Sequence, residues 1–281
     1  MEKPICINNK DTRSGFGAGL LEVGKQNDQV VALCADLIGS LKMNDFIKEF
    51  PERFIQTGIA EANMVGMAAG LATAGKIPFL GGFAGFVSGR VYDQIRQVVA
   101  YSNKNVKIAA SHAGITVGED GATHQIMEDL GLMKMLPNMV VLNPCDYNQT
   151  KAATIAAAEY NGPVYLRFGR PVVPNFTPED MPFEIGKAIV MNSGTDVTII
   201  ATGHLVWHAL EAAYELEQQN ISAEIINIHT IKPLDEKAVL DSVAKTQCVV
   251  TAEEHLMNGG LGDLIAQTLS RKLPAPLEMV A

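Results

Sequence analysis

Short apolar runs alternate along this chain with stretches of helical spacing, and that alternation constrains the fold more than any other feature. Candidate strands fall at residues 30–35 (VVALCA), 54–57, 77–83, 106–111, 139–143 and 164–168. Candidate helices lie between them at 12–26, 60–74, 89–102, 125–135 and 146–160. The apolar runs show little in/out alternation, which suits parallel strands covered by helices on both faces. The expected class is therefore α/β, with a doubly wound, mostly parallel sheet.

The alternation breaks once. Pro171, Pro174, Pro178 and Pro182 crowd a short polar stretch, a density that excludes helix and central strand. We expect a first domain over residues 1–170, a linker over 171–187 and a second, smaller α/β domain over 188–281. Its strands are expected at 196–201, 223–228, 248–252 and 277–281, with helices near 204–219, 235–244 and 261–273.

Composition narrows the function classes. Apolar residues make up 47% of the chain, enough for real cores, and the net charge of −9 argues against a nucleic-acid footprint. No run approaches the ~18 apolar residues of a membrane span. The start, Met-Glu-Lys-Pro, lacks the basic-then-apolar pattern of a secretion signal. Cys6, Cys34, Cys145 and Cys248 are widely separated, which favours neither a disulfide framework nor a metal cage. Cys34 and Cys248 sit in apolar runs and read as buried. No metal site is expected in this chain, and a cytoplasmic setting is.

In open α/β sheets, ligands bind beyond the carboxyl ends of the strands. Several reactive residues fall there. Asp36 ends the first strand and Glu61 opens the helix after the second. The run Gly81-Gly-Phe-Ala-Gly-Phe86 ends the third. His112 and the loop Gly118-Glu-Asp-Gly-Ala-Thr-His124 follow the fourth, and Arg167 and Arg170 follow the sixth. Each has a structural alternative. Glu61 gains from a helix dipole wherever it serves, Phe83 and Phe86 could be core, His112 could cap a strand end, and the loop has ordinary turn composition. Arg13, in the first turn of a helix, stands in a poor place for a cation, which hints at an anion nearby. Gly15-Phe-Gly-Ala-Gly19 lacks the spacing of a nucleotide loop, and Gly259-Gly-Leu-Gly262 looks like a glycine-rich loop opening a helix but has no P-loop lysine, so close backbone packing is expected of it.

Four segments together resemble the transketolase family: Asp11-Thr-Arg13, Ala35-Asp-Leu-Ile-Gly-Ser40, Gly58-Ile-Ala-Glu-Ala-Asn-Met-Val-Gly66, and His112 with Gly118-Glu-Asp-Gly-Ala-Thr-His-Gln125. Ile231-Lys-Pro-Leu-Asp235 and Thr251-Ala-Glu-Glu-His255 extend the resemblance to the C-terminal part. The chain is similar to the family's pyrimidine-binding and C-terminal domains. It lacks the Gly-Asp-Gly…Asn motif that binds the diphosphate and its metal, for which Glu119-Asp120-Gly121 is no substitute. The resemblance thus implies the C-terminal subunit of a split, thiamine-diphosphate-dependent transketolase of pentose phosphate carbohydrate metabolism. Its partner would be an N-terminal subunit carrying most ligands to Mg2+ or Ca2+, in an assembly of two copies of each. The sequence ends on a strand, where family chains usually run further.

The resemblance also implies roles. Glu61 would bond the cofactor's aminopyrimidine, Phe83 and Phe86 would flank that ring, and Asp36 would lie near the thiazolium. Asp120 would contact a sugar hydroxyl, with His112 and His124 relaying hydrogen bonds, and Arg13, Ser40, His112 and Arg170 would hold the acceptor's phosphate. Gly89 departs from the family, standing where a further aromatic is common; Tyr92 is the candidate replacement. Two enzymes share this architecture. The β subunit of a 2-oxo-acid dehydrogenase is disfavoured because the 118–125 loop and the Arg13/Ser40 pair suit sugar phosphates. Deoxyxylulose-phosphate synthase is normally one chain. A non-catalytic regulatory module is disfavoured by the retention of Glu61, His112 and Asp120 together.

Overall fold

A computed structural model describes residues 2–281. The first sheet has seven strands. In chain order they are β2 (Val30–Cys34), β3 (Phe54–Gln56), β4 (Ile77–Phe83), β5 (Lys107–Ser111), β6 (Val140–Leu142), β7 (Val164–Arg167) and, arriving much later, β12 (Thr230–Lys232). Their spatial order is β12-β6-β7-β5-β4-β2-β3, and every pairing is parallel except β12 on β6. The parallel run puts the carboxyl ends of β2, β4, β5 and β7 along one edge, where a ligand is expected.

Both faces of this sheet are covered, which explains the missing alternation. On β2, Val31 and Leu33 enter one core layer while Val30, Ala32 and Cys34 enter the other. The second of those layers is closed by α1 (Thr12–Gln26) and α6 (Tyr147–Glu159). These helices touch through glycines: a Cβ on Gly15 would come within 2.4 Å of the Tyr147 carbonyl oxygen. The Gly15–Gly19 run is a helix-packing surface. On the opposite layer α3 (Glu61–Thr73) sends Met64, Val65, Ala68 and Ala69 into the core.

The second sheet has five strands in the order β14 (Leu277–Val280), β13 (Val249–Ala252), β10 (Val197–Ala201), β11 (Ala223–Asn227), β9 (Ile189–Asn192), with only β9 antiparallel. Helices α7 (Leu205–Glu217), α8 (Glu236–Thr246) and α9 (Leu261–Lys272) flank it. The chain is thus the expected α/β pair of a large parallel-dominated sheet and a smaller second one.

Several local expectations fail, each for an identifiable reason. Residues 89–102 do not form one α-helix: two wide π-turn segments, Gly85–Gly89 and Ile95–Ala100, flank the short α4 (Tyr92–Gln94). Glycines at both ends of the first segment loosen the backbone, and Ser88 Oγ takes the Ala84 carbonyl from the ladder. The helix expected from residue 125 starts only as α5 (Asp129–Lys134), because the carbonyls of Ile126 and Met127 accept from Gly114 and Leu256 instead. Inside the proline-rich stretch, β8 (Val172–Asn175) pairs with β1 (Asn8–Asp11) as a two-stranded antiparallel ribbon. Proline is tolerated there because such a ribbon has open edges. Cys248 is only half-buried, its thiol turned to the Asp196 carbonyl, whereas Cys145 is fully enclosed. No helix among the described residues is long and apolar enough to cross a membrane.

Candidate active site

Glu61 is the first residue of α3, and its carboxylate is 5% exposed. It meets Arg90 at 3.3 Å (Oε1 to Nη1). The same guanidinium lies 4.2 Å over the Phe86 ring, so Arg90 ties the carboxylate to the aromatic pair. Phe86 and Phe83 stack with centroids 5.7 Å apart. Phe83 is buried and Phe86 half-buried, which leaves Phe86 the more open ring. Arg90 was not picked out in the sequence; its only signal is the helical spacing of four from Phe86.

His112 follows β5 in the left-handed region (φ 57°), a conformation in which histidine is over-represented for a side chain with a Cβ. Its ring stacks on Phe83 at 3.7 Å, and Nδ1 lies 2.9 Å from Ser111 Oγ. Burial pushes its pKa down to about 4, helped by the charges of Arg13, Arg170 and His124 and opposed by Asp120. His112 is therefore neutral near pH 7. His124 stands edge-on to Phe83 and Phe86, at 6.0 and 5.5 Å.

The loop carrying Asp120 and His124 is closed at its neck by a bridge between Gly114 and Ile126. Its tip is gripped by Arg170, which donates to the Val117 carbonyl at 2.6 Å and, through both terminal nitrogens, to the Glu119 carboxylate. Arg170 Nε lies 3.7 Å from Asp120 Oδ2. The guanidinium holds the Glu119 carboxyl at about 2, far below its ordinary value. Arg13 donates to the Ser40 carbonyl at 3.3 Å. Its Nε, although 3.2 Å from Asp11 Oδ1, makes no hydrogen bond in its buried position.

The sheet edge thus gathers Glu61, Phe83, Phe86, His112, Asp120, His124 and Arg170, with the Arg13–Ser40 pair close enough to bear on His112. Asp36, also left-handed (φ 60°), is exposed at the end of β2 and is tied in only by its own N–H, which donates to Gln56. Tyr92 packs against the hydrophobic core, with no ring contact to Phe83 or Phe86 among the described residues. A Cβ at Gly89 would meet only Ile126, at an ordinary 3.5 Å, so that position stays open.

Arg167 takes no part in this cluster. It is buried on β7 and pairs with Asp129 at 2.9 Å. A groove of about 720 Å3 lies elsewhere, on the outer face of α1 among Lys10, Lys25, Lys42 and Lys151. Lys151 pairs there with Glu22 at 3.0 Å, and none of the clustered residues lines the groove. Among the described residues no group of three or more His, Cys, Asp or Glu side chains converges as metal ligands.

Comparison with known proteins gives consistent matches. Residues 8–175 match the transketolase pyrimidine-binding domain and residues 186–281 the transketolase C-terminal domain. A 6-deoxy-6-sulfo-D-fructose transketolase subunit from a Clostridium species is 46% identical, covering 93% of this chain and 81% of its own. An apulose-4-phosphate transketolase subunit from Phocaeicola vulgatus is 39% identical, covering 95% and 86%. A solved structure described as a split gene transketolase, inactive beta4 tetramer, superposes with a TM-score of 0.91 at 47% identity, over 97% of this chain and 89% of that one.

Proposed function

The chain belongs to the transketolase family, and we propose that it works as the C-terminal subunit of a split, thiamine-diphosphate-dependent transketolase. In this reading it transfers a two-carbon ketol unit from a ketose phosphate to an aldose phosphate, and is active only with an N-terminal, diphosphate-binding subunit. Residues 1–170 bind the pyrimidine, 171–187 link, and 188–281 form the C-terminal domain. The observation that carries the reading is the near-buried Glu61 carboxylate set beside two stacked phenylalanines and a neutral histidine on one strand edge.

That donor set fits an aminopyrimidine: apolar rings for its faces and a carboxylate for its ring nitrogen. When bound, thiamine diphosphate supplies an acidic thiazolium carbon and an electron sink for carbon–carbon cleavage. Arg90 donates to Glu61 Oε1, and Oε2 would be the oxygen that holds the pyrimidine nitrogen. Phe86, with the edge of Phe83, would flank that ring and exclude water from it. Asp36 would lie near the thiazolium. His112, neutral, and His124 donate or accept at sugar oxygens, and Asp120 accepts from a sugar hydroxyl. Arg13, with its unpartnered Nε, joins Ser40, His112 and Arg170 in holding the acceptor's anionic end, displacing Glu119 from Arg170. The names of the relatives, one for a sulfonated sugar and one for a phosphate, support an anionic substrate without choosing the anion.

Mg2+ or Ca2+ is held mainly by the partner. The assembly has two copies of each subunit. Its self-association uses the outward side of α3, where Ala62, Gly66 and Gly70 are exposed beside Ile59 at 78% exposure. A cytoplasmic setting is consistent with four free cysteines. The test is to co-express the chain with its diphosphate-binding partner and screen phosphorylated and sulfonated ketoses against aldehyde acceptors. Ketol transfer from at least one ketose supports the reading; oxidative decarboxylation of 2-oxo acids instead would replace it.

A further inference from the structure

The loop that carries Asp120 and His124 is held from the second domain by three consecutive residues that follow β13. Glu254 Oε1 accepts from the Thr116 N–H at 2.8 Å and from Thr116 Oγ1 at 2.7 Å, on the loop's outgoing limb. The Leu256 N–H donates to the Met127 carbonyl at 2.8 Å, on the returning limb. His255 donates from Nδ1 to the Leu256 carbonyl at 2.7 Å, which leaves Nε2 to accept from the Gly131 N–H at 3.3 Å. Gly114, at the neck, has φ 86°, and a Cβ there would come 2.1 Å from the Glu254 carboxyl carbon. The loop neck is therefore built around that carboxylate. Glu254 is itself fixed: its carbonyl accepts from Arg167 Nη2 at 2.8 Å, and its Oε2 lies 3.5 Å from His204 Nδ1.

We infer that the C-terminal domain sets the geometry of the substrate loop, with Glu254 as the positioning residue that acts on Asp120 and His124 through Thr116. Glu254 supplies the side-chain tie of the outgoing limb to the second domain, and the Leu256 N–H the backbone tie of the returning limb. Within the first domain the neck is closed by the Gly114–Ile126 bridge and the Gln125 Nε2 to Ile115 carbonyl bond, and the tip is gripped by Arg170. A carboxylate that accepts two hydrogen bonds from one residue fixes both the position and the direction of that limb. The kinetic half of this inference rests on the transketolase reading; the structural half does not.

The experiment compares Glu254→Ala, Glu254→Gln and Thr116→Val in the full chain, alone and reconstituted with the partner. Hydrogen exchange by mass spectrometry on the chain alone reads the clasp without any activity. In Glu254→Ala, exchange over 114–126 should quicken roughly tenfold or more, the effect of losing a charge-assisted bond. In Glu254→Gln, which keeps an acceptor at the same place, it should stay near wild type, with Thr116→Val between the two. In the reconstituted enzyme, Glu254→Ala should raise KM for the sugar substrates by a similar factor. Thiazolium proton exchange, which depends on Glu61, should be unchanged, and Glu254→Gln should restore KM. Unchanged loop exchange in Glu254→Ala, or equal losses in Ala and Gln variants, overturns the clasp. Quickened exchange with an unchanged KM overturns its role in substrate binding. If the reconstituted wild type shows no ketol transfer, the transketolase reading fails, and loop exchange still decides the clasp.

Discussion

Replacing Arg167 tests the junction of the two domains. Its side chain is 4% exposed and its Nε meets Asp129, which is fully enclosed, at 2.9 Å; Tyr165, two residues earlier on the same strand face, donates to the same carboxylate oxygen at 2.8 Å. Burial opposes the guanidinium's charge, but Asp129, with Glu254 and Tyr165, together outweigh it and hold the arginine's pKa above its ordinary value. Arg167→Ala removes the guanidinium that pairs with Asp129 and leaves that enclosed carboxyl without its ionic partner, with Oδ1 already unpartnered. Breaking a buried pair from one side costs about 3–5 kcal/mol. At a urea slope of about 3 kcal/mol per molar for a chain this large, the midpoint should fall by about 1 M or more. Arg167→Met combined with Asp129→Asn removes both charges and keeps the volume. It should recover at least ~1 kcal/mol relative to Arg167→Ala, because no uncompensated ion remains. Urea unfolding of the wild type and these variants, followed by tryptophan fluorescence and far-UV circular dichroism, supplies the comparison. A single variant within ~1 kcal/mol of wild type, or a double variant less stable than the single one, would refute the reasoning.

Three further outcomes follow from the site. Glu61→Ala should slow turnover of the reconstituted enzyme by roughly 10²-fold or more and slow proton exchange at the thiazolium carbon in parallel; wild-type exchange would remove Glu61 from this role. Arg13→Ala and Arg170→Ala should raise KM for an anionic acceptor on the order of ten- to a hundredfold, with much less effect on glycolaldehyde. Arg167 variants should affect both acceptors alike, since that side chain faces Asp129 and Glu254 and not the loop tip; equal losses with both acceptors in the Arg13 and Arg170 variants would move the anion site elsewhere. Finally, burial holds both His112 and His229 at about 4 in the folded chain, against 6.5 ordinarily. The unfolded chain therefore takes up protons first, and stability should rise with pH from about 4 to about 6.5 and then level off. His229→Gln should flatten that slope in pH-dependent urea unfolding, and an unchanged slope would contradict it.

The parallel layers were legible because apolar runs without alternation leave few other folds, and β4 and α1 fall where the pattern puts them. What escaped was set by distant partners. β1 is four polar residues with no strand signature, made a strand by β8 across the proline stretch. β12 leaves the second domain to close the edge of the first sheet against β6, guided by no local pattern. The start of α5 is delayed by bonds to Gly114 and Leu256, which no window of sequence contains. The same holds at the site. Glu61, His112 and the loop residues stand at strand and helix ends and were visible as such. Arg90, which bridges Glu61 and Phe86, and Glu254, which reaches Thr116 across 138 residues, are defined by contacts alone.

The central claim is that this chain is one half of a transketolase, and titration of the partner tests it most directly. Ketol transfer is followed at fixed chain concentration, with thiamine diphosphate and magnesium present throughout, while the N-terminal subunit is added. Activity should start at zero, rise with the partner and saturate at one partner per chain, in a complex whose mass fits two copies of each. Robust ketol transfer by the chain before any partner is added, with contaminating enzyme excluded, would contradict the account.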